Sequence, residues 1–488
     1  MAWILMRRTA SMWRVLCLLA TIDATQALAP PRSARATSAP AASAPATSAP
    51  AAAAIVIKID GTWYDASAWA SKHPGGEHTL KWVHGFDVTA LYHSIHAFRR
   101  GAADTALRRL PVAEDPSSLP EFPNPTGVVG DLAARASTAA RGHEESALRR
   151  DLDALLLSTF ATRDDYKADA GHWAGAAISL ALTLECFRGF FVLGSLGHVL
   201  ALPWCCWVLF SYTVHEGTHS TLSTNPAINR AAQFCAHPYV LNVYTWFHQH
   251  QVSHHQYTND ELLDVDLHHL RPATQHPKLA RSAGASGVDF LLKAPFTCVG
   301  MSVLWPLRAL FDWNTPRYET NVTPAPLLVP KRDLAVSMVP CLAVLVWPWV
   351  LAATGAVSVP FALFAWTYPW VVTSCIWTVL TQSSHIQEDC QRDKTGDDFV
   401  RWQIESALDY SPHSRLVPAL AAGLNLQSLH HVFPSVCHCH FHKLYPGYVA
   451  ICAKHGVRLN QRPNLGAAWR SCVDRVFDLS ADDAARAS

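Results

Sequence analysis

AGAAISLALTLECFRGFFVLGSLGHVLALPWCCWVLFSYTVHEGTH, residues 174–219, decides the fold. The 41 positions 174–214 carry only Glu185 and Arg188 as charges, and the run ends on His215-Glu216-Gly217-Thr218-His219. One membrane span takes about 20 residues, so this length suits a helical hairpin. His215 and His219 are spaced i, i+4, one turn apart on one helix face. Uncompensated polar groups near hydrocarbon are costly and usually functional. Imidazoles grouped where a span ends therefore point to a bound metal.

Two further clusters repeat the pattern. His250-Gln251-Val252-Ser253-His254-His255 adds imidazoles at i, i+4 and i+5; on an α-helix, His254 and His255 diverge by about 100° and can reach two different metals. His430 and His431 do the same, with Gln427 three residues earlier offering an amide oxygen. A second apolar run, 334–380, has no charged residue in 47 positions, and Gly355 and Pro360 divide it into another hairpin. Residues 287–311 are apolar but broken by Lys293, Pro295, Pro306 and Arg308, a pattern that predicts interfacial helices lying on the membrane. Four spans in two hairpins return the chain to its starting face, so all three clusters fall on one side of the bilayer. Imidazole suits iron, copper, nickel and zinc alike, which leaves the metal open. Single histidines such as His248, His268 and His269 read as packing residues.

Composition agrees with a polytopic membrane protein. Half of the 488 residues are apolar and 16% are charged, against roughly one quarter for soluble domains. A formal charge of +1 argues against a nucleic-acid partner. The 13 cysteines form no paired CxxC knuckles, so neither a disulfide framework nor a zinc module is indicated. Cys437 and Cys439 alternate with His438 and His440; alternation sends the two types to opposite faces of an extended chain, and the segment reads as structural.

Residues 1–54 read as a targeting segment. Arg7, Arg8 and Arg14 precede an apolar run over 15–22, Ala27-Leu28-Ala29 offers a cleavage site, and 30–54 is an acid-free Ala/Ser/Pro/Thr tract. A signal peptide followed by a plastid transit peptide fits, with a signal anchor and linker as the alternative. A small domain follows over 55–112, a Pro-rich polar linker over 113–170, the membrane domain over 171–465, and a polar tail over 466–488.

Within 55–112, His73-Pro74-Gly75-Gly76 precedes Gly85-Phe86-Asp87-Val88-Thr89, and His96 lies 23 residues after His73. Two neutral imidazoles on opposing helices would hold a six-coordinate heme iron suited to electron transfer. The segment resembles cytochrome b5, which implies an α+β heme domain with heme b held by His73 and His96, His93 being the second candidate for the latter position.

The pattern HxxxH, HxxxHH, QxxHH resembles the membrane fatty-acid desaturases. Gln427 at the head of the third box, together with the N-terminal heme domain, is similar to the front-end desaturases. Trp246, Tyr257-Thr258-Asn259, Gly423-Leu424-Asn425-Leu426 and Phe433-Pro434 flank the boxes in agreement. The resemblance implies a mainly α chain: the cytochrome b5-like domain, then a four-helix transmembrane domain with a histidine-rich cap on the cytosolic or stromal side. It implies two irons held by His215, His219, His250, His254, His255, His385, Gln427, His430 and His431. It further implies O2, a fatty acyl lipid substrate, and electrons from the fused domain and a donor such as a cytochrome b5 reductase, with tethering raising the local donor concentration. The non-acidic third box resembles Δ5 and Δ4 enzymes. Ser384 stands where the family usually has Asn before His385. A plastid membrane is expected, the endoplasmic reticulum being the alternative. Alternatives on the same scaffold are a sphingoid-base desaturase and a fatty-acyl hydroxylase. A non-catalytic membrane-anchored heme electron carrier is the alternative of another class.

Overall fold

The computed structural model describes residues 55–96, 100–114, 146–235, 238–261, 264–268, 270, 275–277, 286–311, 331–392 and 398–487. The expected targeting segment lies outside them, as does most of the Pro-rich start of the linker. The chain is mainly α-helical, with two small two-stranded sheets among the described residues.

The N-terminal unit starts as a hairpin, Val56–Ile59 paired antiparallel with Thr62–Asp65. Its turn is Asp60-Gly61, both at positive φ (49° and 79°), the conformation that matches the twist of the flanking strands. The short helices Glu77–Trp82 and Thr89–Ile95 follow, around a core of Ile57, Ile59, Leu80, Val83, Phe86 and Leu91. Gly76, at φ 93°, is needed for the turn between His73 and the first of these helices.

Among the described residues, five helices have the length and composition to cross a membrane, where the sequence predicts four: Ala170–Leu193, Leu196–Thr218, Gly287–Leu310, Lys331–Ala353 and Val359–Gln382. The first two form the expected hairpin, reversed at left-handed Gly194. Arg188 closes on Glu185 at 2.6 and 2.7 Å, so the two charges of the run pair with each other next to that turn. The last two form the second hairpin, reversed at Gly355 (φ 72°) with Ser358 capping the returning helix. Ile178, Leu182, Trp204, Val346 and Leu363 are exposed along these helices, a belt suited to lipid.

The additional helix is Gly287–Leu310, at the segment read as interfacial. It is interrupted by 3₁₀ and π turns near Pro295 and ahead of Pro306. Phe290, near its start, packs with Ile386, just past the end of Val359–Gln382. Leu310, at its end, packs in the cluster that includes Leu334, near the start of Lys331–Ala353. Those two places lie at the same end of the second hairpin. Between them, Cys298 N–H donates to Ser374 Oγ at 3.1 Å, about 12 Å along the hairpin from Gln382 at 1.5 Å per residue.

Two stretches expected as linker and tail contain helices. Ala147–Thr159, capped by Ser146, buries Leu148, Leu152 and Leu156 against Leu444 and Tyr448 of Phe441–Lys454. Leu465–Ala487 buries Ala468, Cys472 and Val476, every fourth residue. Both are polar overall with an apolar stripe at helical spacing, so average polarity hid them.

Candidate metal centre

All nine expected ligand positions are buried and converge on one volume. His215 and His219 leave the second span on its last turn, after a π turn over Phe210–Val214. The second cluster lies on a π-helix, His248–His254, running into His255–Tyr257; the expectation of α spacing is corrected here. A π turn closes i to i+5, which brings His250 Nε2 within 3.2 Å of His255 Nε2. His430 and His431 come from Gln427–Val432, and His385 from just past the last span.

The donors sort into two groups. Those of His215, His219, His250 and His430 lie within 4.8 Å of one another, as do those of His254, His385 and His431. His255 stands between, with its Nε2 also 3.2 Å from His430 Nε2 and its ring stacked on His431 at 4.4 Å. The Gln427 amide meets His385 Nε2 at 2.9 Å and His431 Nε2 at 3.1 Å, while its Oε1 has no partner. Amide O and N are interchangeable by a half-turn, and the turned amide aims its oxygen into the second group.

Why should lone pairs face one another at such distances? The outward nitrogens give the reason. His254 Nδ1–H donates to Asp264 at 3.1 Å, His385 Nδ1–H to the Ser406 carbonyl at 3.1 Å, and His431 Nδ1–H to Gln403 Oε1 at 2.7 Å. Each bond fixes the proton outside and leaves Nε2 bare inside, the arrangement of metal-binding imidazoles. Burial, then the neighbouring imidazoles, holds His219, His250, His255, His430 and His431 well below the ordinary histidine range, so they are neutral donors at pH 7. At His254 burial acts the same way, but the Asp264 and Asp266 carboxylates outweigh it and raise the group to about 9. Two clusters of inward-facing ring nitrogens fit two metal ions, with His254 giving up its second proton on binding.

Asp264 and Gln403 were not legible as site residues, since only the fold brings them to the imidazoles. Glu216, inside the first box, accepts from His438 Nδ1 at 2.9 Å and from the Thr221 hydroxyl. Trp246 stacks on His250 at 4.4 Å and 10°. Ser384 donates to the Leu424 carbonyl. His248 packs against Phe86 and Phe247, with neither ring nitrogen hydrogen-bonded.

In the N-terminal unit, the rings of His73 and His96 face each other with centroids 6.3 Å apart. His96 Nδ1–H donates to the Tyr92 carbonyl at 2.9 Å and His73 Nδ1 lies 3.4 Å from the Gly76 carbonyl, so both Nε2 atoms point inward. An iron with bonds of about 2 Å to each nitrogen fills that separation. His93 instead binds Asp60 at 2.9 Å and is not part of the pair. The helix ending at His96 lies on the metal centre: Ala90, Leu91, Ser94 and Ile95 share one small cavity with His219, His255 and His431.

Comparison with known proteins agrees with this geometry. Residues 170–463 match the fatty acid desaturase family, and residues 51–114 match the cytochrome b5-like heme/steroid binding domain. The chain is 27% identical over 452 residues to the acyl-lipid omega-13 desaturase of Chlamydomonas reinhardtii, covering 86% of this chain and 93% of that protein. It is 24% identical over 458 residues to the acyl-lipid (8-3)-desaturase of Mortierella alpina, with 86% and 93% covered. A chloroplastic acyl-lipid (7-3)-desaturase of Chlamydomonas reinhardtii is 28% identical over 217 residues, 42% of this chain and 37% of that protein.

Proposed function

The chain belongs to the fatty acid desaturase family, fused to a cytochrome b5-like domain, and we propose that it is a front-end acyl-lipid desaturase acting at the fifth carbon of a polyunsaturated chain. It is an O2-dependent oxidoreductase with a diiron centre and a heme. When bound, the irons would activate O2, the oxidant that removes two hydrogens from unactivated methylenes and leaves as water, chemistry that no side chain can do.

The observation that carries the reading is the double cluster of inward-facing imidazoles directly beneath the helix that ends at His96. We assign one iron to His215, His219, His250 and His430, and the other to His254, His385, His431 and Gln427, with His255 between them. His73 and His96 hold the heme. The desaturase domain runs over 171–465 and the heme domain over 55–112. Helix Thr89–Ile95 bridges the two centres and is the route for electrons arriving one at a time from a reductase.

Regiochemistry rests on the relatives' names. An (8-3) enzyme arrives at carbon five and a (7-3) enzyme at carbon four. The non-acidic third box, Gln427-Ser428-Leu429-His430-His431, resembles Δ5 and Δ4 enzymes alike, so carbon four is the neighbouring reading. Both ends of Gly287–Leu310 pack at the site's end of the second hairpin, which supports four crossings, with that segment entering from the site's end and returning to it. A plastid membrane suits the N-terminal tract and the chloroplastic relative.

Expression in yeast fed C16 to C22 polyenes, with the new bond located by mass spectrometry, tests the assignment. A cis bond at carbon five supports it; a hydroxylated product, a desaturated sphingoid base or no product rejects it.

A further inference from the structure

A second group of metal-type donors lies outside the diiron centre, where the loop after the third box meets the start of the first span. Cys437 Sγ lies 3.5 Å from His172 Nδ1 and 3.4 Å from Cys439 Sγ. Donor atoms of His172, Cys437 and Cys439 are all within 4.8 Å of one another, and a second such group, Asp169, Cys439 and His440, shares Cys439. The alternation of Cys and His in the sequence predicts opposite faces. His438–His440 is instead a 3₁₀ turn, which bunches Cys437, Cys439 and His440 and sends only His438 away, to Glu216.

The outer hydrogen bonds of both histidines set the same tautomer. His172 Nε2–H donates to the Tyr212 carbonyl at 2.9 Å and His440 Nε2–H to the Lys167 carbonyl at 2.7 Å. Each Nδ1 is thereby left as a lone pair facing a thiol, Cys437 for His172 and Cys439 for His440. Two separate thiol-to-imidazole pairs do not by themselves bring the two sulfurs to 3.4 Å. Zinc bound through bonds of about 2.3 Å to sulfur and about 2.1 Å to nitrogen has ligand-to-ligand edges of roughly 3.6–3.8 Å, close to the two separations seen.

We propose that this chain binds a structural zinc ion through His172, Cys437 and Cys439, with the fourth position taken by His440 or Asp169. Thiolate and imidazole together select zinc over harder cations. The ion would clamp the loop behind His430 and His431 to the foot of the first span, independently of the reaction performed.

The test is metal analysis of the full-length holoprotein in detergent, from cells supplied with iron and zinc. About one zinc per chain is expected beside the iron and heme, falling below about 0.1 in Cys439→Ser while iron and heme persist. Zinc-free wild-type protein after equilibration with zinc sulfate overturns the proposal, as does zinc retained by the variant. So does an intact mass showing Cys437 and Cys439 joined as a disulfide. A second arm needs no variant: protein grown on cobalt should show thiolate-to-cobalt charge-transfer absorption, which the sulfur-free diiron ligands cannot produce. Its absence from cobalt-loaded protein also overturns the proposal.

Discussion

Asp264→Asn offers the sharpest check on how the diiron centre is held. Asp264 is fully buried. His254 Nδ1–H is shared by both carboxylate oxygens, at 3.1 and 3.2 Å; one of them also accepts from the Asp266 N–H at 3.0 Å and the other from the Asn259 N–H at 2.7 Å. Asparagine keeps the volume but has one oxygen. Either the Asn259 or the Asp266 N–H must then face an NH2 group, leaving a buried donor unsatisfied at about 1–3 kcal/mol. That NH2 group also offers His254 Nδ1 a donor in place of an acceptor, which favours the tautomer with its proton on Nε2, and that tautomer cannot bind iron. Loss of such an outer partner weakens metal affinity or activity by about 10- to 100-fold, or roughly 1.4–2.8 kcal/mol. Iron per chain under iron limitation, normalised to the heme absorbance of the separate N-terminal unit, reads the effect directly. Product yield in fed yeast should fall with it. Wild-type iron content and yield in this variant would refute the inward-lone-pair argument.

Other consequences can be measured alongside. Arg230 stacks over Trp82, Phe234 and Tyr244 at 4.4, 4.5 and 5.2 Å, joining the heme domain to the membrane domain. Arg230→Ala should weaken that docking by about 0.5–2 kcal/mol and slow heme reoxidation by O2 and substrate in stopped flow, iron content being unchanged; equal rates count against it. A Cβ on Gly217 would sit 2.7 Å from the Asn229 carbonyl oxygen, so Gly217→Ala should cost about 1–3 kcal/mol, seen as a lower melting temperature and less iron. Burial, then Arg230, holds His78 down at about 3 against its ordinary 6.5. Its stabilising contribution is therefore complete above pH 6.5 and declines as pH falls toward 3. His78→Gln should flatten the loss of thermal stability across that window, and an unchanged slope would exclude His78 as its source.

The parts legible in the sequence are those carried by local spacing. The imidazole boxes, the two hairpins and the His73/His96 pair each depend on residues close together or on uninterrupted apolar length. Asp264, Gln403 and the Ser406 carbonyl could not be read this way, because nothing local distinguishes an outer-sphere acceptor from any loop residue. The π turn over His248–His254 was also hidden: four and five residues apart look alike until the hydrogen bonding of the turn is known. Ala147–Thr159 was visible in principle, since Leu148, Leu152 and Leu156 repeat every fourth residue, but its surroundings are polar. Gly287–Leu310 shows the reverse case. Its length and hydropathy satisfy a span, and only the contacts of Phe290 and Leu310 reveal both ends at one level.

Those contacts also change how electron delivery is understood. Fusion suggests a mobile donor whose advantage is local concentration. In the structure Trp82 and Phe86 of the heme domain share one buried cluster with Tyr244, Phe247 and Val252, the segment leading into and through the second histidine box. Trp82 meets Phe247 at 4.8 Å and Tyr244 at 5.6 Å. A domain docked through its own core needs no tether to find its partner. Doubling the 31 residues 115–145 with a Gly/Ser insert separates the two pictures. A tethered donor should lose effective concentration as the −3/2 power of length, about threefold, whereas a docked one keeps its heme reoxidation rate. A threefold fall would mean that the interface around Trp82 opens in every turnover, and that helix Thr89–Ile95 is not a standing bridge between heme and iron.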